Sequence, residues 1–238
     1  MNRYHLHRYV GLGAACFLVF LAVSGWLMHH ADRFGLSERY VCMDSLLDWY
    51  GIEAPSDLVG YRVAGHTIVT LGGQIYFDGR WVGEAPMAPV GAVPMAPGII
   101  VAFPDQLLWF DDAGRIIERI EAVHGVPRPV TRIGLLGNGH LAAASAQQIF
   151  VADGDLLVWA RAPDASVSWS DPVTLEVEQQ AAIRASYRER VLTWQRVIAD
   201  AHSGRILGWW GPWLMDLVAL ALLLLAVSGL LIWSRRRG

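Results

Sequence analysis

The sequence predicts a membrane protein in which two transmembrane α-helices bracket a mostly-β domain, a propeller-like meander or a sandwich, followed by one juxtamembrane helix. Three observations predict it. The chain has 238 residues, of which 54% are hydrophobic and only 17% charged, with mean hydropathy +0.33; that is apolar for a soluble domain. Two long apolar stretches, Tyr9–Met28 and about Gly208–Trp233, lie towards its two ends. Between them the texture changes to short apolar runs punctuated by Gly, Pro and Asp, the pattern of strands joined by turns.

The first span follows from Tyr9–Met28, twenty consecutive residues without a charge. At about 1.5 Å per residue they cover a hydrocarbon core of roughly 30 Å. A signal peptide competes for the same stretch, because Arg3 and Arg8 precede it, but the stretch is longer than a usual signal core and lacks a small-x-small cleavage site at its end. The second span runs from about Gly208 to Trp233 and stops at Ser234-Arg235-Arg236-Arg237. Arginines flank both spans on one side, so the positive-inside rule places both termini in the cytoplasm and residues 31 to about 205 outside it, in a bacterium the periplasm. Trp26 and the group Trp209, Trp210 and Trp213 gather at the outer ends, as an interfacial aromatic belt requires. All 19 positive side chains are arginine, which excludes Schiff-base and P-loop lysine chemistry. A net charge of −3 leaves no basic surface for nucleic acid. Cys16 and Cys42 fall on opposite sides of the membrane boundary at Met28, so no internal disulfide is expected.

Three stretches of the middle region share one order, strand, turn, Gln, aromatic strand, Asp: Ile68–Asp78, Ile100–Asp111 and Leu141–Asp153. Their terminal aspartates stand 33 and 42 residues apart, near propeller-blade repeat lengths. Three blades do not close a propeller. The domain is therefore an incomplete propeller-like meander, a sandwich, or a half that closes in a dimer. From Pro172 to Ala201 apolar residues recur at helical spacing, and Asp44–Tyr50 reads as a short helix with Asp44 as cap. The resulting division is a cytoplasmic N-terminus over 1–8, a span over 9–30, the β-rich periplasmic domain over 31–165, a helical return segment with a His-Ser-Gly turn over 166–205, a span over 206–233 and a basic tail over 234–238.

Five of the eight histidines cluster at the membrane boundaries: His5 and His7 inside, His29, His30 and His202 outside. His7 and His29 are 22 residues apart, so on a continuous helix they lie about 40° apart around it and about 33 Å apart along it, one face at opposite membrane sides. Neutral imidazole is an axial ligand to haem iron. An antiparallel hairpin brings the turn at His202 beside His29-His30, and imidazoles from two helices, flanked by small residues, are the donors of a bis-histidine b-type haem. His7, His29, His30 and His202 are the candidate iron ligands, with Arg205 as a partner for a haem propionate or for Asp216. Interfacial histidines that face headgroups and water are the plain alternative. Ala22-Val-Ser-Gly25 and Ala226-Val-Ser-Gly229 match letter for letter, which suits either helix packing or one cofactor per membrane face. His66, His124 and His140 have no metal-ligand spacing, and no serine sits in a nucleophile elbow.

His5-Leu-His-Arg-Tyr-Val-Gly-Leu-Gly13, entering a span that ends Val-Ser-Gly-Trp-Leu-Met-His-His30, resembles the PepSY-associated transmembrane helix family. Arg196-Val-Ile-Ala-Asp-Ala-His-Ser-Gly-Arg-Ile-Leu-Gly208, followed by Leu-Leu-Ala-Val-Ser-Gly-Leu-Leu-Ile-Trp233, is similar to that family's His-Ser/Thr-Gly turn and closing helix. The resemblance implies an inner-membrane redox protein, related to reductases of which some serve ferric-siderophore uptake, with b-type haem on membrane histidines and electrons delivered to a periplasmic acceptor. It points to His7 on the inner face and to His29 or His30 with His202 on the outer face. Two spans supply only half of a four-helix haem core, so a homodimer or a membrane partner is expected. The other reading is a cofactor-free membrane anchor presenting a binding domain to a periplasmic partner.

Overall fold

A computed structural model describes residues 3–121, 123 and 125–235, with the side chains of residues 3–8, 10, 231, 232 and 235 outside the description. Five helices occur in chain order: α1 (Arg3–His29), α2 (Asp44–Trp49), α3 (Val177–Arg188), α4 (Trp194–His202) and α5 (Gly211–Arg235). Thirteen strands fill the interval between α2 and α3. The chain divides into a helical unit, residues 1–51 with 189–238, and a β unit, residues 52–188.

The β unit contains three antiparallel sheets. The first is a meander of β1 (Val59–Val63), β2 (His66–Leu71), β3 (Gln74–Phe77) and β4 (Arg80–Glu84). A second meander repeats it with β5 (Gly91–Met95), β6 (Gly98–Ala102), β7 (Gln106–Asp111) and β8 (Ile116–Glu121). The third holds β9 (Arg132–Leu136), β10 (Leu141–Ser145), β11 (Gln148–Ala152) and β12 (Trp159–Arg161), and adds β13 (Val167–Trp169) on the free edge of β9. First strands of successive sheets are neighbours, β1 with β5 and β5 with β9. One core lies between the first two sheets, around Ile68, Phe77, Ile99 and Phe110. Another lies between the second and third, around Ile100, Leu107, Ile133 and Leu141. Such stacking of meanders about their first strands is propeller-like, and it decides against a sandwich.

The repeated aspartates stand at the end of the third strand of each blade, where the chain turns towards the fourth. Asp111 Oδ1 accepts from the Ala113 and Arg115 N–H groups, and Asp153 Oδ1 from Leu157 and Val158. Asp78 accepts from the Thr67 N–H and pairs with His66 Nδ1 at 2.8 Å. Asp111 and Asp153 thus fold the turn that follows them, whereas Asp78 ties the end of β3 to the start of β2.

No second copy is needed to cover the outer face of the first blade. Leu175 and Ile183 of the return segment pack on Val69, Leu71 and Tyr76, with Tyr187 beside them. Gly72, at φ +54°, lies where a Cβ would press into the Tyr187 ring. The return segment holds a strand and two helices, β13, α3 and α4, where one helix is expected from the sequence. In the short helix α2 the N-cap residue is Met43 and makes no side-chain cap bond; Asp44 opens the first turn instead of capping it.

In the helical unit, α1 and α5 contain the long apolar segments Gly11–His29 and Gly211–Leu230, with hydropathy 2.0 and 2.2. Both have the length and composition of membrane spans, and nearly every side chain along them faces outward. Trp26, Trp209 and Trp213 are exposed, as an interfacial belt demands.

Candidate functional site

The candidate site is built where α4 meets α1. Two chain crossings put it there. After α1 the chain turns back, and the Val41 N–H donates to Leu192 O at 2.8 Å while Trp194 donates to Arg39 O and Gln195 to Leu36 O. Thr193 then caps α4, its side chain accepting from the Arg196 N–H. Held at its N-terminal end, α4 delivers His202, its last residue, to the wall of α1.

There His202 Nδ1 meets Ser24 Oγ at 2.8 Å, and the missing Cβ of Gly25 would stand 3.6 Å from His202 Cε1. Ser24 is buried, its hydroxyl also 2.7 Å from Phe20 O. The Ser-Gly notch of α1 is thus filled by an imidazole. Its letter-for-letter copy in α5 is not: Ser228 bonds back to Leu225 O, and nothing among the described residues lies within 4 Å of a Cβ built on Gly229.

Past His202 the chain reverses through Ser203 and Gly204. Gly204 sits at φ +77°, and any side chain there would overlap Gly211 O at the start of α5. The turn therefore needs glycine twice over, for its backbone angle and for the close crossing. Arg205 follows, and its Nε donates to Asp200 Oδ1 at 2.8 Å; Arg196 Nε stands 3.7 Å from Oδ2 of the same carboxylate. Arg205, offered by the sequence as a partner for Asp216, is paired with Asp200 instead. Asp200 is among the few buried charged residues. Burial and the neighbouring Asp200 carboxylate push the Tyr50 phenol up to about 12, against a smaller opposing pull from Arg196 and Arg205. Trp49 Nε1 donates to Ile206 O, and a cavity of about 350 Å³ opens between Trp49, Tyr50 and Arg205–Gly208.

The other boundary histidines lie apart from this cluster. His29 is exposed; His30 is half-buried, edge-on to Trp26 at 5.0 Å and to His29 at 4.9 Å, and the Phe34 ring is 5.5 Å from that of Trp26. On α1, His29 and His30 are turned about 140° and 120° from Ser24, the residue that receives His202. His7 lies within α1, but its side chain, like that of His5, is outside the described residues. Among the described residues no group of three or more His, Cys, Asp or Glu could hold a bare metal ion.

A family model described as the PepSY-associated TM region matches residues 3–236. The chain belongs to that family. Membership agrees with the two apolar helices, and together they make this a membrane protein. No curated protein matches the sequence significantly. A crystal structure of a protein of unknown function from Bacteroides caccae is similar at 17% identity over 51% of this chain and 48% of that one, with a TM-score of 0.29. The chain thus spans about half the length of that protein, and a likeness so low carries no argument.

The donor chemistry at His202 fits an axial ligand to haem iron, the group that the family resemblance implies. One ring nitrogen is held by Ser24, and the other has no hydrogen-bond partner among the described residues. Metal-ligating histidines are held in this way by their second nitrogen. The sequence marks His202 and the Ser24-Gly25 notch separately, and only the fold joins them. Asp200 has a legible signal of its own in the i,i+4 spacing of Arg196 and Asp200 on one helix.

Proposed function

We propose that this protein is an inner-membrane electron-transfer protein of the PepSY-reductase type, which binds b-type haem through boundary histidines and passes electrons to a periplasmic acceptor, in iron uptake. The observation that carries the reading is His202, braced by Ser24 with its second nitrogen unengaged. His202 would hold the haem iron on the outer face together with His29 or His30, and His7 would serve the inner face. His29 is exposed and turned about 140° around α1 from the His202 side, an arrangement that favours pairing across a homodimer or with a membrane partner. Haem, when bound, supplies one-electron capacity. The chain's own residues would hold and orient it: Ser24 fixes the His202 ring, and Arg205 retains guanidinium N–H groups for a propionate after Asp200 has taken its Nε. The arginines at both cytoplasmic flanks orient the β unit into the periplasm.

The test is a dithionite-reduced minus oxidised spectrum of the detergent-purified protein, with pyridine haemochrome quantification. A stoichiometric b-type signal that disappears in His202→Ala is expected. A colourless protein from haem-replete cells overturns the reading.

A second reading has its own observation. The strands β1, β5, β9 and β13 converge on a groove of about 680 Å³ lined by Arg62, Pro94, Leu136, Ser168 and Asp171 among others. A cofactor-free anchor that presents this groove to a periplasmic partner predicts that full-length protein, crosslinked in cells, yields one defined partner, which Arg62→Glu abolishes.

A further inference from the structure

We propose that Ser24 is the positioning residue that fixes His202 as its Nδ1–H tautomer and so makes Nε2 the nitrogen offered to a ligand; the ligand half of this inference rests on the haem reading above. The argument turns on where one proton lies. Ser24 Oγ and Phe20 O are 2.7 Å apart. Two oxygens at that distance, both presenting lone pairs, repel each other unless a proton sits between them, and the only proton there is the serine's own. The hydroxyl is therefore the donor to Phe20, the i−4 carbonyl of its own helix. Leu21 O, at 3.3 Å, takes the weaker branch of the same bond.

With its proton so placed, Oγ turns lone pairs towards His202 Nδ1 at 2.8 Å. A bare Nδ1 would face them lone pair to lone pair, so Nδ1 carries the proton and donates. In the neutral ring this leaves the lone pair on Nε2. At 5% exposure Ser24 is shielded from water that would otherwise compete for either bond. Nothing in α4 itself selects the tautomer; the choice comes from α1, through a bond spanning 178 residues of sequence. Such a bond also fixes the ring plane and raises the basicity of the free nitrogen, as second partners of ligating histidines do.

The tautomer is read without haem. In full-length, ¹⁵N-histidine-labelled protein purified in detergent from haem-depleted cells, long-range ¹H–¹⁵N correlations are expected to show His202 protonated on Nδ1, the signal being assigned by its loss in His202→Gln. Ser24→Ala is expected to lose that preference at unchanged helical content, and Ser24→Thr, whose hydroxyl can make the same two bonds, to restore it. Haem added back and followed by its Soret band is expected to bind about tenfold or more weakly to Ser24→Ala than to wild type, with Ser24→Thr near wild type. An Nε2–H signal in wild type, or an Nδ1–H signal untouched by Ser24→Ala, overturns the assignment. If the tautomer responds as stated but no variant binds haem, Ser24 keeps its hold on His202 while the ligand role falls together with the proposed function. If haem binds and Ser24→Ala changes neither tautomer nor affinity, the proposed function survives and Ser24 is merely a packing residue.

Discussion

Asp200 sits between two arginines and a tyrosine, and the balance among them is the most readable electrostatics in the helical unit. Tyr50 titrates near 12 because burial and the Asp200 carboxylate both oppose a phenolate. Unfolded, the phenol returns to about 10. Its folded value is the higher one, so its contribution to stability is intact below pH 10 and is lost as pH rises from about 10 to 12. Tyr50→Phe is expected to flatten the alkaline limb of a stability–pH profile measured by chemical denaturation. Asp200→Asn is expected to bring the Tyr50 titration, followed by phenolate absorbance, down from about 12. The histidine and the His-Ser-Gly turn were legible in the sequence because each is a contiguous motif. The bond from Ser24 to His202 was not, since no local pattern joins residues 178 apart.

At the scale of elements, the blades were legible where turn chemistry is local. Asp111 and Asp153 each bond backbone four residues ahead in their own turn, and Asp78 at the corresponding place bonds back to the neighbouring strand β2. Asp111 is held below the usual carboxylate range first by the Arg115 backbone N–H, an interaction lost once acid protonates it. The strand β13 and the covering of the first blade by α3 were hidden, because a three-residue strand has no periodicity and its partner β9 lies far back in the chain. Close approaches between strands set the tolerance to substitution. A Cβ on Gly98 would overlap Phe110 O, the backbone of the strand to which β6 is paired, and neither backbone can yield without breaking the sheet. Gly98→Ala is expected to cost about 1–3 kcal/mol or more. Gly137 is exposed, with nothing within 4 Å of a built Cβ, so Gly137→Ala is expected to fall within about 0.5 kcal/mol of wild type. Thermal or urea unfolding of the two variants side by side checks the contrast, and equal stabilities would sink it.

For the whole molecule the deciding question is which side of the membrane receives the β unit, and the two native cysteines answer it. Cys16 lies inside the apolar segment of α1, where lipid shields it from aqueous reagents; Cys42 lies beyond the end of that helix and is exposed. The positive-inside argument rests on Arg3 and Arg8 before the apolar segment of α1 and on the arginine run beyond the apolar segment of α5, all on one side if both helices cross. On that argument Cys42 is expected in the periplasm, together with the segment that docks α4 and carries His202 to α1. A membrane-impermeant maleimide applied to spheroplasts is therefore expected to label the wild-type protein once, at Cys42, and to leave Cys42→Ser unlabelled until detergent exposes Cys16. The opposite orientation gives no label before the membrane is opened, and it would put the His202 face on the cytoplasmic side. Electron delivery to a periplasmic acceptor requires the first result. The bond between Ser24 and His202 is indifferent to both, since it is made within one helical unit whichever way the chain is inserted. Topology and site are thus separable, and labelling that contradicted the orientation would move the acceptor to the other side of the membrane without moving a single ligand.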